Sequence, residues 1–253
     1  MTLIGKQLIA EYALELLGRE AAARLVAEGW KVGIAGRRTA ALEAFQNEFG
    51  KDKVCIATMD VTRPESVEAL DDLLSQTGDP DLFFYVSGVG FQNRDLDEEK
   101  EMLIIQTNSE GMVRMVDHFF HYVRTHNYSK SHKAHIAVIT SIAGTNGMGA
   151  SPAYSATKKM QSTYLTALSQ LSRMDKVPVC FTDIRPGFVA TDILNPNKHY
   201  PMLMSKEKAT DHVMKALHKK KRVYTFDWRF RLVVGLWKMI PRFVWERLTW
   251  VQN

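Results

Sequence analysis

The feature that most constrains the fold of this chain is a regular alternation, from Trp30 onward, of short apolar runs with longer amphipathic stretches. Such runs are typical of buried strands, and the amphipathic stretches between them are typical of helices. Repeated strand–helix units build a parallel sheet covered by helices, so we predict an α/β fold in one domain. The predicted strands are residues 30–35, 53–59, 81–86, 135–140, 179–183 and 223–226, and the predicted helices are 39–48, 64–76, 97–126, 152–174 and 205–219.

Composition excludes several classes of protein. Hydrophobic residues make up 45% of the 253 residues, which is enough for a large core and excludes a disordered chain. The net charge of +5 is too small to indicate a nucleic-acid partner, and no apolar stretch is long enough to span a bilayer. The first residues lack a basic segment followed by an apolar run, so we expect a cytoplasmic protein without a secretory signal. Cys55 and Cys180 are predicted to be reduced core thiols.

Small or polar residues follow the predicted strands. The carboxyl ends of parallel strands lie at one edge of a sheet, where such folds bind their ligands. We therefore expect these residues to line one crevice: Gly36-Arg37-Arg38, Asp60-Val61, Ser87-Gly88, Ser141 and Pro186-Gly187.

Tyr154 and Lys158 are four residues apart at the start of the helix predicted from residue 152, so both lie on one face of it. A free phenol has a pKa near 10, and a neighbouring ammonium favours the phenolate and lowers that pKa. Ser141 ends a strand 13 residues earlier and can donate a hydrogen bond to a substrate oxygen beside the phenol. A tyrosine and a lysine at this spacing also occur by chance on surface helices, so the serine and Pro186-Gly187 are needed to indicate a proton-transfer site.

Five segments together resemble the short-chain dehydrogenase/reductase family. Residues 139–144 are similar to its catalytic serine segment, Tyr154-Ser-Ala-Thr-Lys158 to its Y-x-x-x-K motif, and residues 183–191 to the segment that closes over the nicotinamide. Asn108 lies where the family has a catalytic asparagine, and Asp60 where it has an aspartate near the adenine. The resemblance covers about residues 18–227 and implies one doubly wound Rossmann-type domain, 1–227, with a mostly parallel sheet of about seven strands and helices on both faces.

The resemblance also implies the reaction and the role of each residue. Tyr154 would exchange a proton with a carbonyl or alcohol, Ser141 would polarise the carbonyl, and Asn108 would bind a water that links Lys158 to solvent. Lys158 would also hold the nicotinamide ribose, while a bound nicotinamide cofactor carries the hydride. The carboxamide would be fixed by Gly187, Val189 and Thr191. The remaining cofactor contacts implied are Gly18, Arg37, Arg38, Asp60, Val61, Ser87, Gly88 and Pro186.

The end of the second family strand indicates which cofactor is preferred. An acidic residue there would bind an unphosphorylated ribose, but this chain has Arg37 and Arg38 and no acid. Guanidinium groups suit a 2′-phosphate, so NADP is favoured over NAD. The alternative is that one or both arginines are ordinary solvated residues at the start of a helix.

The amino-terminal segment departs from the family pattern. The family opens with a strand and G-x-x-x-G-x-G, but only Gly18 matches, and Tyr12 and Leu16 occupy the other two glycine positions. Residues 9–17 also favour helix by propensity, so they are not expected to form the first strand and loop. Three explanations stay open: a divergent but working phosphate cradle, loss of the cofactor, or a locally altered sequence. The alternative function is therefore a catalytically silent relative that acts as a binding or scaffold protein.

Segments outside the motifs give further expectations. In residues 228–248, a basic and aromatic tail, cations alternate with aromatic and aliphatic residues, which indicates either a helix pair lying on a membrane surface or a tail packed on a partner subunit or over the cleft. Residues 191–205 are predicted to form a lid, a loop that covers the crevice, and their apolar side chains favour a largely apolar ligand. The family resemblance implies a homodimer or homotetramer. His118 and His121 lack a supporting carboxylate or cysteine along the sequence, so no metal site is predicted.

Overall fold

The computed structural model describes residues 7–11, 16–190 and 200–249, and it confirms the predicted α/β class. Predicted and observed elements agree closely from β2 onward. The elements in chain order are β1 (Gln7–Glu11), α1 (Leu16–Ala27), β2 (Lys31–Gly36), α2 (Thr39–Phe49), β3 (Val54–Thr58), α3 (Ser66–Thr77), β4 (Leu82–Tyr85), α4 (Glu98–Ile105), a π-helical turn (Gln106–Gly111), α5 (Met112–Thr125), β5 (Ala134–Ile139), a 3-10 turn (Ile142–Thr145), α6 (Pro152–Met174), β6 (Val179–Pro186), α7 (Lys206–His218), β7 (Val223–Phe226), α8 (Trp228–Met239) and α9 (Arg242–Trp245).

The strands form one parallel sheet in the order β3-β2-β1-β4-β5-β6-β7. The chain moves outward from β1 through β2 and β3, then returns to β4 on the other side of β1. The direction of winding reverses between β1 and β4, and such a switch point opens a crevice outside the carboxyl ends of the strands. Buried strands such as β4 and β5 are continuous apolar runs because helices cover both faces of the sheet.

Two apolar layers hold the sheet between its helices. Helices α1, α2 and α7 pack on one face, and α3, α5 and α6 pack on the other. The apolar stripe of α5 faces the sheet rather than solvent, since its members are at most 1% exposed: Met112, Met115, Phe119 and Val123. Burial of each such side chain contributes about 1.5–3 kcal/mol to folding.

The expectation that residues 9–17 do not supply the first strand is wrong. Gln7–Glu11 form β1, which pairs with β2 on one side and β4 on the other. Helix propensity is a weak local preference, and two parallel ladders that satisfy the backbone of a central strand outweigh it. Residues 12–15, which include Tyr12, lie outside the described residues, and Leu16 begins α1.

The prediction of a single helix over 97–126 needs a refinement. The axis continues from α4 to α5, but the turn Gln106–Gly111 between them is π-helical. Such single wide turns inside helices are often found at functional sites. Asn108 lies in the middle of this one.

Two expectations stay predictions: the boundary at residue 227 between the Rossmann-type domain and the tail, and the role of residues 191–205 as a lid. Residues 191–199, including Thr191, lie outside the described residues. Within residues 7–11, 16–190 and 200–249, no helix combines the length and the apolar character needed to cross a bilayer.

Candidate active site

The carboxyl edge of the sheet gathers the residues expected there. Gly36 ends β2 and is followed by Arg37 and Arg38, and Ser87-Gly88 come after β4. Ser141 follows β5, and Pro186 ends β6 before Gly187. Because these strands are parallel members of one sheet, with β1 between β2 and β4, their carboxyl ends line the crevice beside the β1/β4 switch point.

Tyr154 and Lys158 lie in the first two turns of α6, which begins at Pro152. Proline suits this first position because its missing N–H needs no partner and its φ is already helical. The Lys158 ammonium nitrogen lies 5.8 Å from the centre of the Tyr154 ring. The predicted pairing of phenol and ammonium on one helix face is therefore present in the structure.

Lys158 is almost completely buried, with 4% of its surface exposed. Its Nζ donates a hydrogen bond to the carbonyl of Ile139 at 3.1 Å, which ties the ammonium to the end of β5. A Cβ placed on Gly88 would lie 3.2 Å from this Nζ and 3.4 Å from Asn108 Oδ1. The carboxyl end of β4, the first turns of α6 and the π-helical turn therefore meet at Gly88.

Asn108 is fully buried, and its side-chain amide clamps the loop after β4. Its Oδ1 accepts from the N–H of Val89 at 2.8 Å, and its Nδ2 donates to the carbonyl of Val89 at 2.9 Å. The backbone carbonyl of Asn108, which lies in the π-helical turn, accepts from Gln161 Nε2 at 2.7 Å. Asn108 therefore fixes residues 88 and 89 beside Lys158.

Ser141 has an extended backbone, with φ −169°, and caps the 3-10 turn that follows β5. Its Oγ accepts from the N–H of Ala143 at 3.1 Å. Since a hydroxyl both accepts and donates, this bond leaves the Ser141 proton to be donated. The turn is seated on α6, because a Cβ on Gly144 would lie 2.7 Å from the carbonyl carbon of Lys158.

A buried acid fixes the ends of β5 and β6 together. Asp183 accepts from the Thr140 hydroxyl at 2.6 Å, and the Arg185 guanidinium donates two bonds to its other oxygen at 2.9 and 2.6 Å. Bidentate arginine–carboxylate pairs are strong and directional. This network holds Ser141 and the Pro186-Gly187 turn in fixed relation.

An apolar wall closes the crevice on the side of Gly187. The rings of Phe230 and Phe188 are 6.0 Å apart, and Phe230 lies so close that a Cβ on Gly187 would be 2.2 Å from it. Val189, which is buried, forms a bridge with Met204 beside this wall. The wall consists of the packed side chains Ile142, Phe188, Met202, Phe230 and Val234.

The remaining predicted cofactor residues lie along the other end of the crevice. Gly18 is buried in the first turn of α1, and Arg37 and Arg38 are exposed between β2 and α2. Asp60 Oδ1 accepts from the N–H and hydroxyl of Thr62 at 3.0 and 2.8 Å, which holds the loop after β3. Val61 is buried against Gly111 of the π-helical turn.

Ser87 offers a direct observation on whether these residues fit a dinucleotide. Its Oγ is completely buried, and among the described residues it has no hydrogen-bond partner. A buried orphan hydroxyl is costly unless a ligand satisfies it. The Ser87 hydroxyl has no exposed surface, so the group that faces the crevice here is the bare, partly exposed backbone of Gly88, which leaves room for a polar sugar group over the end of β4.

Glu101, in α4, was missed at the sequence level although it supports α6. Its Oε2 accepts from the N–H of Ala153 at 2.9 Å, and its Oε1 accepts from the buried Asn93 amide at 2.8 Å. It thus satisfies an N–H at the start of the tyrosine-bearing helix. The acid-rich run of residues 97–101 indicated only a helix start, and no local signal shows which residue 52 positions away it reaches.

Tyr85 ends β4, and its hydroxyl donates to the carbonyl of Thr107 at 3.2 Å, so it ties β4 to the π-helical turn. The statement that His118 lacks a supporting carboxylate is wrong, since its Nε2 lies 2.6 Å from Asp71 Oδ1. Within the part of the chain that the structure describes, no three histidine, cysteine or acidic residues cluster as metal ligands would.

Comparisons with known proteins identify the family of this chain. The family model for short chain dehydrogenase matches residues 14–201. A Myxococcus xanthus protein named as an uncharacterized oxidoreductase is 28% identical over 231 residues, covering 89% of this chain and 88% of its own. A Staphylococcus aureus protein of the same description is 29% identical over 180 residues, covering 70% of this chain and 75% of its own.

Solved structures share the fold. A Brucella melitensis 3-ketoacyl-(acyl-carrier-protein) reductase complexed with NADH has a TM-score of 0.75 at 22% identity, over 89% of this chain and 98% of its own. A Burkholderia cenocepacia short chain dehydrogenase in complex with NADP has a TM-score of 0.76 at 18% identity, over 98% and 99%. The chain belongs to the short-chain dehydrogenase/reductase family, as the sequence motifs predicted.

Proposed function

We propose that this chain is an NADP-dependent oxidoreductase that interconverts a carbonyl and an alcohol. The observation that carries the proposal is that Lys158 and Asn108 meet at Gly88, with the Tyr154 ring centre 5.8 Å from the Lys158 ammonium nitrogen, at the carboxyl edge of the sheet. Membership of a family of oxidoreductases supports the reaction type.

In the reducing direction, the Tyr154 hydroxyl gives its proton to the carbonyl oxygen. When bound, the nicotinamide supplies the hydride for the carbonyl carbon. The Lys158 ammonium stabilises the phenolate left on Tyr154, because an adjacent positive charge favours the ionised form. Ser141 donates to the reacting oxygen, and Asn108 holds the loop beside Lys158 and binds the water through which the proton is replaced.

The cofactor residues are proposed position by position along the crevice. Arg37 and Arg38 take a ribose 2′-phosphate, while Asp60 and Val61 lie beside the adenine. Ser87, Gly88 and Lys158 hold the nicotinamide ribose, and Pro186, Gly187, Val189 and Thr191 hold the carboxamide. Gly18 supplies the start of α1 for the pyrophosphate, where helix N-terminal N–H groups favour an anion. Solved structures with this fold hold NADP in one case and NADH in another, so they support a nicotinamide cofactor in general.

The substrate is proposed to be largely apolar. Phe188 and Met202 are the partly exposed members of the apolar wall beside Gly187, and burying apolar substrate against them is favourable. We also infer a homodimer or homotetramer, as many family members form. A cytoplasmic location belongs to the same proposal.

The test is a screen of ketones and aldehydes that follows NADPH and NADH absorbance. We expect turnover of at least one apolar carbonyl, faster with NADPH. Tyr154→Phe should lower turnover by about 10²–10⁴-fold, since it removes the proton donor. Tyr164→Phe is the matched control, because Tyr164 lies on the same helix but bonds Asp117 instead, and it should keep turnover.

The alternative, a silent binding or scaffold protein, is favoured by one observation. The sequence has Tyr12 and Leu16 at two positions where the family has glycine, so it does not supply the bare backbone expected beside the pyrophosphate. Equal rates for the wild type and Tyr154→Phe, or no turnover of any carbonyl, would support this alternative over an enzyme.

A further inference from the structure

Helix α8 presents apolar side chains on two opposite faces. Phe230 and Val234, one turn apart, are 2% and 5% exposed and pack on the wall of the crevice. The opposite side is solvent-exposed, and we call it the outer face of α8. Its apolar members are between 60% and 71% exposed: Trp228, Leu232, Leu236 and Met239.

Cations border the outer face of α8 on both sides. Arg231 and Lys238 are seven residues apart, two helical turns, and lie along one border, while Arg229 lies along the other and pairs with Asp227 at 2.6 Å. Residues 228–249 carry five cations and a single carboxylate, Glu246, which pairs with Arg242 at 2.8 Å. The surface is thus apolar along its centre and positive along the border formed by Arg231 and Lys238.

The helix is fixed in place by polar contacts on its inner side. Asn146 Nδ2 donates to the carbonyl of Trp237 at 3.1 Å, and Trp245 Nε1 of α9 donates to the carbonyl of Gly147 at 2.7 Å. Phe243 of α9 is also an exposed apolar residue, with 64% of its area exposed. These bonds anchor α8 and α9 to residues 142–149, so the outer face is held toward solvent.

We propose that the outer face of α8, with Phe243 of α9, docks in the plane of a bilayer that contains anionic lipid. A helix with an apolar stripe, a tryptophan and flanking cations has the composition of an interfacial helix. Its cations are attracted to the negative surface of such a membrane. The proposal concerns binding alone and does not depend on the reaction that the crevice catalyses.

The charge distribution argues against a second copy as the occupant. Two-fold association brings the same patch of each chain together, so the cations beside Leu232 would face the same cations of the other copy. Cores of subunit interfaces are also depleted of charged residues. A lipid surface supplies the opposite charge along the border formed by Arg231 and Lys238.

The consequence is a fixed position of the crevice relative to lipid. Because the inner face of α8 packs on Gly187 and the outer face contacts the membrane, one helix diameter, about 10 Å, separates the two.

The experiment is flotation of the full chain with vesicles of phosphatidylcholine alone or with added phosphatidylserine. We expect the wild type to float only with the anionic vesicles. Leu232→Gln/Met239→Gln should weaken binding at least about ten-fold, because it removes two apolar contacts. The matched control is Leu96→Gln/Met174→Gln, since these residues are 63% and 70% exposed, against 61% and 71% for the first pair. The control should bind as the wild type does.

A second pair tests the charges. Arg231→Gln/Lys238→Gln should weaken binding to anionic vesicles about 25-fold, at about five-fold per cation, whereas Arg173→Gln/Lys130→Gln should not. The proposal is overturned if the wild type stays in the unbound fraction with the anionic vesicles. It is also overturned if either double variant of α8 floats as well as its control variant. It is also overturned if Leu232→Gln/Met239→Gln changes only the mass measured by light scattering, which would identify a subunit interface.

Discussion

The 3-10 turn that follows Ser141, here called the serine turn, packs on α6, and this contact predicts the effect of Gly144→Ala. The added Cβ would lie 2.7 Å from the carbonyl carbon of Lys158, 2.8 Å from its oxygen and 2.8 Å from the nitrogen of Lys159. Carbon atoms in contact prefer about 3.5–4.0 Å, so the turn and the helix must separate by about 1 Å. The atoms that are met belong to the backbone of a long helix, and no side-chain rotation can relieve the clash.

The size of the effect follows from this displacement. Overpacking of this kind costs about 1–3 kcal/mol, which corresponds to a fall in melting temperature of roughly 2–12 °C for a chain of this length. Because the same movement takes Ser141 away from the Lys158 side of the crevice, turnover should fall about 100-fold.

The assay is thermal unfolding followed by circular dichroism, with turnover measured on the same samples. Gly147→Ala and Gly149→Ala are the controls, because a Cβ at either position meets no atom within 4 Å. Both controls should match or slightly exceed the stability of the wild type. A Gly144→Ala variant as stable and active as these controls would refute the proposed packing of the serine turn on α6.

Two other predictions follow from single polar groups. Glu101→Gln keeps the shape of the side chain but removes the negative charge of the group that accepts the Ala153 N–H bond, so kcat should fall several-fold with little change in KM. Glu99→Gln, at an exposed position of the same helix, should leave kcat unchanged. Burial lowers the pKa of His135 from its ordinary value of 6.5 to about 3. Between these two pH values the unfolded chain binds a proton at this histidine and the folded chain does not. The free energy of unfolding should therefore decrease by about 1.4 kcal/mol per pH unit from this site between about pH 6 and pH 4, and His135→Gln should reduce that slope in urea titrations.

The sequence was informative where local pattern and tertiary structure agree. The helix that carries Tyr154 and Lys158 has Pro152 at its first position, and residues 152–174 were predicted with the bounds observed. The predicted strands were found because buried parallel strands are apolar throughout. The carboxyl edge of the sheet could then be derived from the position of each residue after its strand.

Features that depend on distant contacts could not be predicted. Strand β1 has a helix-favouring sequence, and only its pairing with β2 and β4 makes it a strand. The π-helical turn around Asn108 requires the bonds to Val89 and Gln161, which no spacing encodes. Periodicity showed that the tail is amphipathic, but not that Phe230 reaches Gly187 on its inner side.

The most direct test of the central claim is a fluorescence titration of the wild-type chain with NADPH and with NADH. A crevice built from Lys158, Gly88 and Ser87, with Arg37 and Arg38 at its far end, should bind NADPH saturably. We expect half-saturation between roughly 1 μM and 1 mM, with NADH binding more weakly. An absence of binding at millimolar NADPH would contradict the assignment of this chain as an active oxidoreductase.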